Sequence, residues 1–157
     1  MSWSDMDVEL VDVSILNPHE EIKPRNRDKL LEMTKKWGGF TKPLLVDSVS
    51  LTILDGHHRY DVARCLNLSK VPAIMLDYLN DERISVAVWP GREIESISKQ
   101  DIIDMGLSTD LYPPKTSKHT IGSDLPPIFS TLEENQLTSP EYASNDTKRG
   151  TAAFINV

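Results

Sequence analysis

The heptapeptide Leu54-Asp55-Gly56-His57-His58-Arg59-Tyr60 sets an acid, a glycine and three nitrogen-bearing side chains in direct succession. The apolar run LTILD precedes it, and Val62, Ala63, Cys65 and Leu66 follow at helical spacing, so Asp55-Gly56 reads as a strand-to-helix turn. Such a turn leaves the first backbone N–H groups of the helix without intrahelical acceptors, which makes an anion site. Gly56 permits the tight turn and a close ligand approach; His57 and His58 carry ring donors, and Arg59 can grip two phosphate oxygens at once. Phosphate is the ligand this chemistry predicts. The competing reading is a helix-capping Asp55, two solvated histidines and an Arg59 paired with an acid elsewhere. A second cluster, PPKTSKH, concentrates Lys115, Thr116, Ser117, Lys118 and His119 behind Pro113 and Pro114. The prolines exclude a helix interior and predict an exposed loop, which gains chemical meaning only if it faces the first cluster.

The elements that must position these clusters are legible from periodicity. VELVDVSIL has strand-like β-branched alternation, and NPHEEIKPRNR, with two prolines, reads as a loop. A helix capped by Asn26 is expected to carry Leu30, Met33, Thr34 and Trp37 on one stripe and to end at Gly38-Gly39. KPLLVD and LTILD are two short strands close enough for a hairpin-like connection, and VPAIMLDY is a largely buried strand after the short helix. ISVAVW is a further strand, and SKQDIIDMGL a helix with Ser98 as N-cap and Asp101 in its first turn. From Thr138 the sequence is poor in large apolar residues, which predicts one folded domain over residues 1–137 and a flexible tail over 138–157.

Composition restricts the function classes. A chain of 157 residues that is 39% hydrophobic can bury a core of its own. Its formal net charge of −7 argues against a broad surface for nucleic acid, though not against a local pocket for one small anion. No run approaches the ~20 apolar residues of a membrane span, and the acidic N-terminus is unlike a signal peptide, so a cytoplasmic protein is expected. The single cysteine, Cys65, excludes an internal disulfide and any multi-cysteine metal site.

HEEI in a polar loop, then PLLVD, then ILDGHHRYDVARCLNLSKVPAIMLDY, and much later PPKTSKH, together resemble the free L-serine kinases of the ParB/sulfiredoxin-like superfamily. The ordered match spans about Val8 to Leu137, and the DGHHR element followed by PPKTSKH is more specific than either alone. Two sister branches fit less well. Sulfiredoxins place a catalytic cysteine where this chain has His57, and Cys65 lies on the apolar stripe of the next helix. ParB-type partitioning proteins add a helix-turn-helix domain and a dimerisation segment, neither of which is legible here.

The resemblance implies a compact α/β domain, a small mixed sheet flanked by helices, and transfer of a phosphoryl group from ADP or ATP, with Mg2+, to the hydroxyl of free L-serine. Because a neutral hydroxyl is a poor nucleophile, a carboxylate must orient it and take its proton. PHEE supplies Glu20 and Glu21, and the family pattern favours Glu20. By the same resemblance Asp55 lies beside the transferred phosphate, positioning serine or holding magnesium. Gly56, His57, His58 and Arg59 bind phosphate from one side, Lys115, Thr116, Ser117, Lys118 and His119 close from the other, and Trp89 and Arg92 wall the amino-acid pocket. The expected partners are L-serine and an adenine nucleotide, with no nucleic acid and no membrane, in a monomer or small homo-oligomer. A ParB-like regulatory module that binds nucleotide without transfer is the alternative.

Overall fold

The most apolar segments of the sequence meet in one central sheet. A computed structural model describes residues 3–4, 7–122 and 125–136; the expected tail over 138–157 lies outside the described residues. In chain order the elements are β1 (Val8–Asp12), α1 (Pro24–Trp37), β2 (Gly39–Phe40), β3 (Leu44–Asp47), β4 (Ile53–Asp55) and α2 (His57–Cys65). They continue with β5 (Lys70–Leu76), β6 (Ile84–Val88), α3 (Lys99–Gly106), β7 (Ser117–Ile121) and β8 (Ser130–Thr131).

The main sheet has the order β1-β5-β3-β4. Strands β1 and β5 run antiparallel, β5 and β3 parallel, and β3 and β4 form the expected antiparallel pair, so the sheet is mixed. β3 is buried at all four positions because both faces of the sheet are covered. Leu44 and Val46 join Val62 and Ala63 of α2 in one apolar cluster, with Leu30 and Leu31 of α1 packed against it. Leu45 joins Ile84 of β6, Ile102 and Ile103 of α3, and Tyr78 in the other. Helices α1 and α2 thus cover one face; α3 and the two-stranded β6–β7 sheet cover the other. None of the described helices is long and apolar enough to cross a membrane.

Four local expectations change. The first strand stops at Asp12, whose partner Lys70 is the first residue of β5, and a 3-10 turn over Val13–Ile15 follows. Helix α1 begins at Pro24, not after Asn26, because proline's missing N–H costs nothing at the first helical position. Met33 and Trp37 are exposed, and the inward stripe of α1 runs through the half-buried Leu30 and Leu31 and the buried Thr34. PPKTSKH is not all exposed loop. Ser117–Ile121 is a strand paired with β6, from Val88↔Ser117 to Ile84↔Ile121, and Thr116 is buried with its hydroxyl donating to the Pro113 carbonyl at 2.7 Å.

Candidate functional site

The turn between β4 and α2 has the geometry the DG pair predicts. Gly56 sits at φ 102°, where side chains are strained, and a Cβ there would come within 2.9 Å of both Leu44 and the Arg59 guanidinium. Asp55 does not cap α2, whose start has no side-chain cap. Its carboxylate instead lies 3.5 Å from Arg59 Nη2, which also donates to the Pro43 carbonyl at 3.0 Å. Arg59 Nε is buried and has no hydrogen-bond partner among the described residues. A cleft of about 260 Å³ opens in front of this turn. Asp55, Gly56, His57, His58 and Arg59 line it together with Glu20, Glu21, Trp89, Ser117, Lys118 and His119. The two clusters therefore face each other.

Glu20 is held in place from the far end of the chain. Its Oε1 accepts the Ser117 backbone N–H and the Ser117 hydroxyl, each at 2.8 Å, and its Oε2 accepts the Lys115 N–H at 3.2 Å. The loop carrying it is stitched on several sides. Tyr112 N–H donates to the His19 carbonyl at 2.9 Å and Glu21 N–H to the Tyr112 carbonyl at 2.8 Å. His19 N–H donates to His57 Nε2 at 3.1 Å. A segment that reads as an irregular loop is thus a rigid support, while the Glu21 side chain beside it stays exposed.

His57 and His119 line the cleft, and the buried His19 ring lies beside both. The His19 ring lies 4.5 Å from His57 and 5.8 Å from His119, centroid to centroid. His19 is buried, and burial lowers its pKa to about 4, although its bond to the Ile53 carbonyl opposes the shift. His119 falls to about 3, chiefly by burial and then through His19. The Tyr78 phenol, whose pKa burial raises, shares a 2.7 Å hydrogen bond with His119 Nε2. Burial, then the neighbouring histidines and Arg59, hold His57 well below the imidazole range; His58 is lowered too, again mainly by burial, and accepts the Lys23 N–H at 3.0 Å. These are neutral rings, and the Nε2 atoms of His57 and His58 accept backbone N–H groups. The expected phosphate donors at His57 and His58 are therefore reduced to their Nδ1 protons. Sequence reasoning passed over His19 and Tyr78; His19 stands beside Glu20 in PHEE, whereas nothing local marks Tyr78.

Trp89, at the end of β6, makes a platform. Lys115 Nζ lies 5.0 Å and Lys118 Nζ 4.9 Å from the centre of its ring, and its indole N–H donates to the Ser117 carbonyl at 3.1 Å. Arg92 is not brought to this cleft. It lines a separate cavity with Tyr112, Pro113 and Thr116, so Thr116 faces there as well. Cys65 is partly buried and accepts from Arg27 Nη1 at 3.3 Å, away from the cleft.

No family model matches the chain. Over 86 residues it is 40% identical to a ParB-like protein of Sulfolobus acidocaldarius, a match covering 55% of this chain and 42% of that protein. Over 94 residues it is 37% identical to an ATP-dependent L-serine kinase of Staphylothermus marinus, covering 57% and 37% of the two chains. The chain spans about two fifths of the length of these curated relatives. A solved free serine kinase in complex with AMP aligns with a TM-score of 0.74 at 16% identity, over 82% of this chain and 93% of that one. Its fold is that of the free serine kinases. In this fold the uncapped start of α2, Arg59 and the fixed Glu20 carboxylate converge on the cleft between the α2 N-terminus and β7.

Proposed function

We propose that the chain is a nucleotide-dependent kinase that transfers a phosphoryl group from ADP or ATP to the hydroxyl of free L-serine, giving O-phosphoserine. The observation that carries this reading is Glu20. A carboxylate fixed by three hydrogen bonds shares one cleft with an uncapped helix N-terminus and Arg59. Each carboxylate oxygen accepts about two hydrogen bonds, so Oε1 is filled and Oε2 keeps a site for the substrate hydroxyl. Phosphoryl transfer asks a protein mainly for position and charge, and those are the properties of this cleft.

In this reading the backbone N–H groups at the start of α2, with Arg59, bind the phosphates. Lys115 and Lys118, gathered on Trp89, neutralise them from the opposite side. Glu20 orients the serine hydroxyl and takes its proton. Among the described residues no three His, Cys, Asp or Glu side chains are grouped to hold a metal by themselves. Magnesium, which keeps most of its own water and binds through one or two carboxylates plus substrate phosphates, fits Asp55 at the cleft's edge. When bound it would supply positive charge to neutralise the transferring phosphate. Arg92 and Thr116, in their separate cavity, have no part in this assignment.

The relative described as ParB-like favours a second reading, a module that binds nucleotide without transfer. Purified protein incubated with L-serine, magnesium and either ADP or ATP separates the two. O-phosphoserine is expected with at least one donor; nucleotide binding without product with either donor removes the kinase reading.

A further inference from the structure

Ser117 and His19 present a mismatch of protons to acceptors. The Ser117 hydroxyl lies 2.8 Å from Glu20 Oε1 and 3.0 Å from His19 Nε2, and it has one proton to give. His19 Nδ1 lies 2.7 Å from the Ile53 carbonyl, which can only accept, so Nδ1 carries the ring proton. The ring stays neutral at pH 7 because burial brings its pKa to about 4. Its Nε2 is then a bare lone pair aimed at the same hydroxyl as an ionised carboxylate. A charged acceptor holds a hydrogen bond about twice as strongly as a neutral one, so the proton belongs to Glu20 while Glu20 is ionised.

We propose that Ser117 and His19 are positioning residues that switch a hydrogen bond as Glu20 works: the Ser117 hydroxyl donates to Glu20 before transfer and turns to His19 Nε2 once Glu20 has taken the substrate's proton. The inference rests on the kinase reading. In the transfer, the serine oxygen forms the new bond to phosphorus, and the bond to the nucleotide's leaving oxygen breaks with its electron pair. The hydroxyl proton goes to Glu20 Oε2, and the Ser117 proton never leaves Oγ; only its direction changes. Without a second acceptor, the hydroxyl would have to keep donating to a carboxyl group that has become a poor acceptor. His19 removes that cost, and its fixed tautomer keeps the lone pair ready before the reaction begins.

The test combines 15N NMR of histidine-labelled protein with kinetics in Glu20→Gln, Ser117→Ala and Ser117→Thr, after each variant is shown to be folded. Glu20→Gln replaces the charged acceptor by a weaker neutral one, so the His19 Nε2 resonance should move in the direction of a stronger hydrogen bond. In Ser117→Ala, which has no hydroxyl to turn toward His19, it should stay close to its position in the unsubstituted protein; a shift toward a weaker hydrogen bond would mean that the hydroxyl already donates to His19 and would overturn the switch. Ser117→Ala should also lower kcat about ten- to a hundredfold with KM for serine nearly unchanged, and Ser117→Thr should restore most of the loss. Where Ser117→Ala does not fold, Ser117→Cys, a weaker donor at the same place, should likewise leave the resonance close to that of the unsubstituted protein while lowering kcat. A His19 Nε2 resonance unmoved in Glu20→Gln overturns the switch, as does full kcat in Ser117→Ala. Absence of O-phosphoserine from the unsubstituted protein would instead remove the kinase reading, and the NMR comparison, which needs no substrate, would still decide where the hydroxyl points.

Discussion

Glu20 and Glu21 are neighbours in sequence with opposite surroundings. Glu20 accepts two backbone N–H groups and one hydroxyl from residues 115 and 117, whereas the Glu21 side chain is exposed. Glu20→Gln should therefore cut transfer by roughly 10²–10⁴-fold, the usual contribution of a general base, while nucleotide affinity stays close to that of the parent. Glu21→Gln should leave turnover nearly unchanged. Steady-state rates and calorimetric nucleotide affinity for the two variants check this, and the opposite ranking would move the base by one residue. The sequence shows both acids but cannot rank them from their surroundings, because the groups that distinguish them lie 95 and 97 positions away. The same distance hides His19, whose hydroxyl partner Ser117 is on β7. By contrast, the DGHHR turn is local, and its positive-φ glycine and open helix start follow from the residue types alone.

At the scale of elements, the strand-turn-helix-strand unit from β4 to β5 was legible because short apolar runs and one helical stripe suffice to define it. β7 was not, since Pro113 and Pro114 dominate the local reading and the strand gains its identity from pairing with β6 across α3. Two predictions belong here. Gly56→Ala forces a side chain into a positive-φ position against Leu44 and Arg59, so it should lower stability by about 1–3 kcal/mol and weaken nucleotide binding, because the start of α2 must shift. Chemical denaturation and calorimetry read the two effects, and an unchanged protein would show that the turn is slack. The β6 end is the second case. Trp89→Leu removes the platform under Lys115 and Lys118 and the bond to the Ser117 carbonyl. Nucleotide affinity should fall several-fold, since each exposed cation–π contact is worth about 0.5–1 kcal/mol. Trp89→Phe, which keeps a ring, should lose less; equal losses in the two would make the indole hydrogen bond, not the lysine platform, the feature that matters.

Across the whole molecule, four separate segments meet at the histidine cluster: the loop at His19, the start of α2 at His57, the end of β5 near Tyr78, and β7 at His119. Their neutrality couples the assembly of the fold to pH. Folding lowers His19 from 6.5 to about 4 and His119 from 6.5 to about 3, so between those values the unfolded chain binds more protons than the folded one. Stability must then rise with pH through this window. The histidine contribution is complete above about pH 6.5 and is lost progressively as pH falls toward 4 and then 3. At about 1.4 kcal/mol per unit, each ring accounts for a few kcal/mol, a sizeable share of the 5–15 kcal/mol typical of a domain. Carboxylates act lower down: Asp81, held below its ordinary value by Arg83, loses its contribution only as pH falls below the carboxylate range. Urea denaturation at half-unit steps from pH 7.5 to 4.5 should therefore show the midpoint falling steadily below pH 6.5. His119→Phe, which removes one titrating ring and keeps an aromatic beside Tyr78, should flatten that fall even if its stability at pH 7.5 is lower. A midpoint constant from pH 7.5 to 4.5, or a slope unchanged in His119→Phe, would mean that these rings take up protons without unfolding and that the cluster does not hold the four segments together.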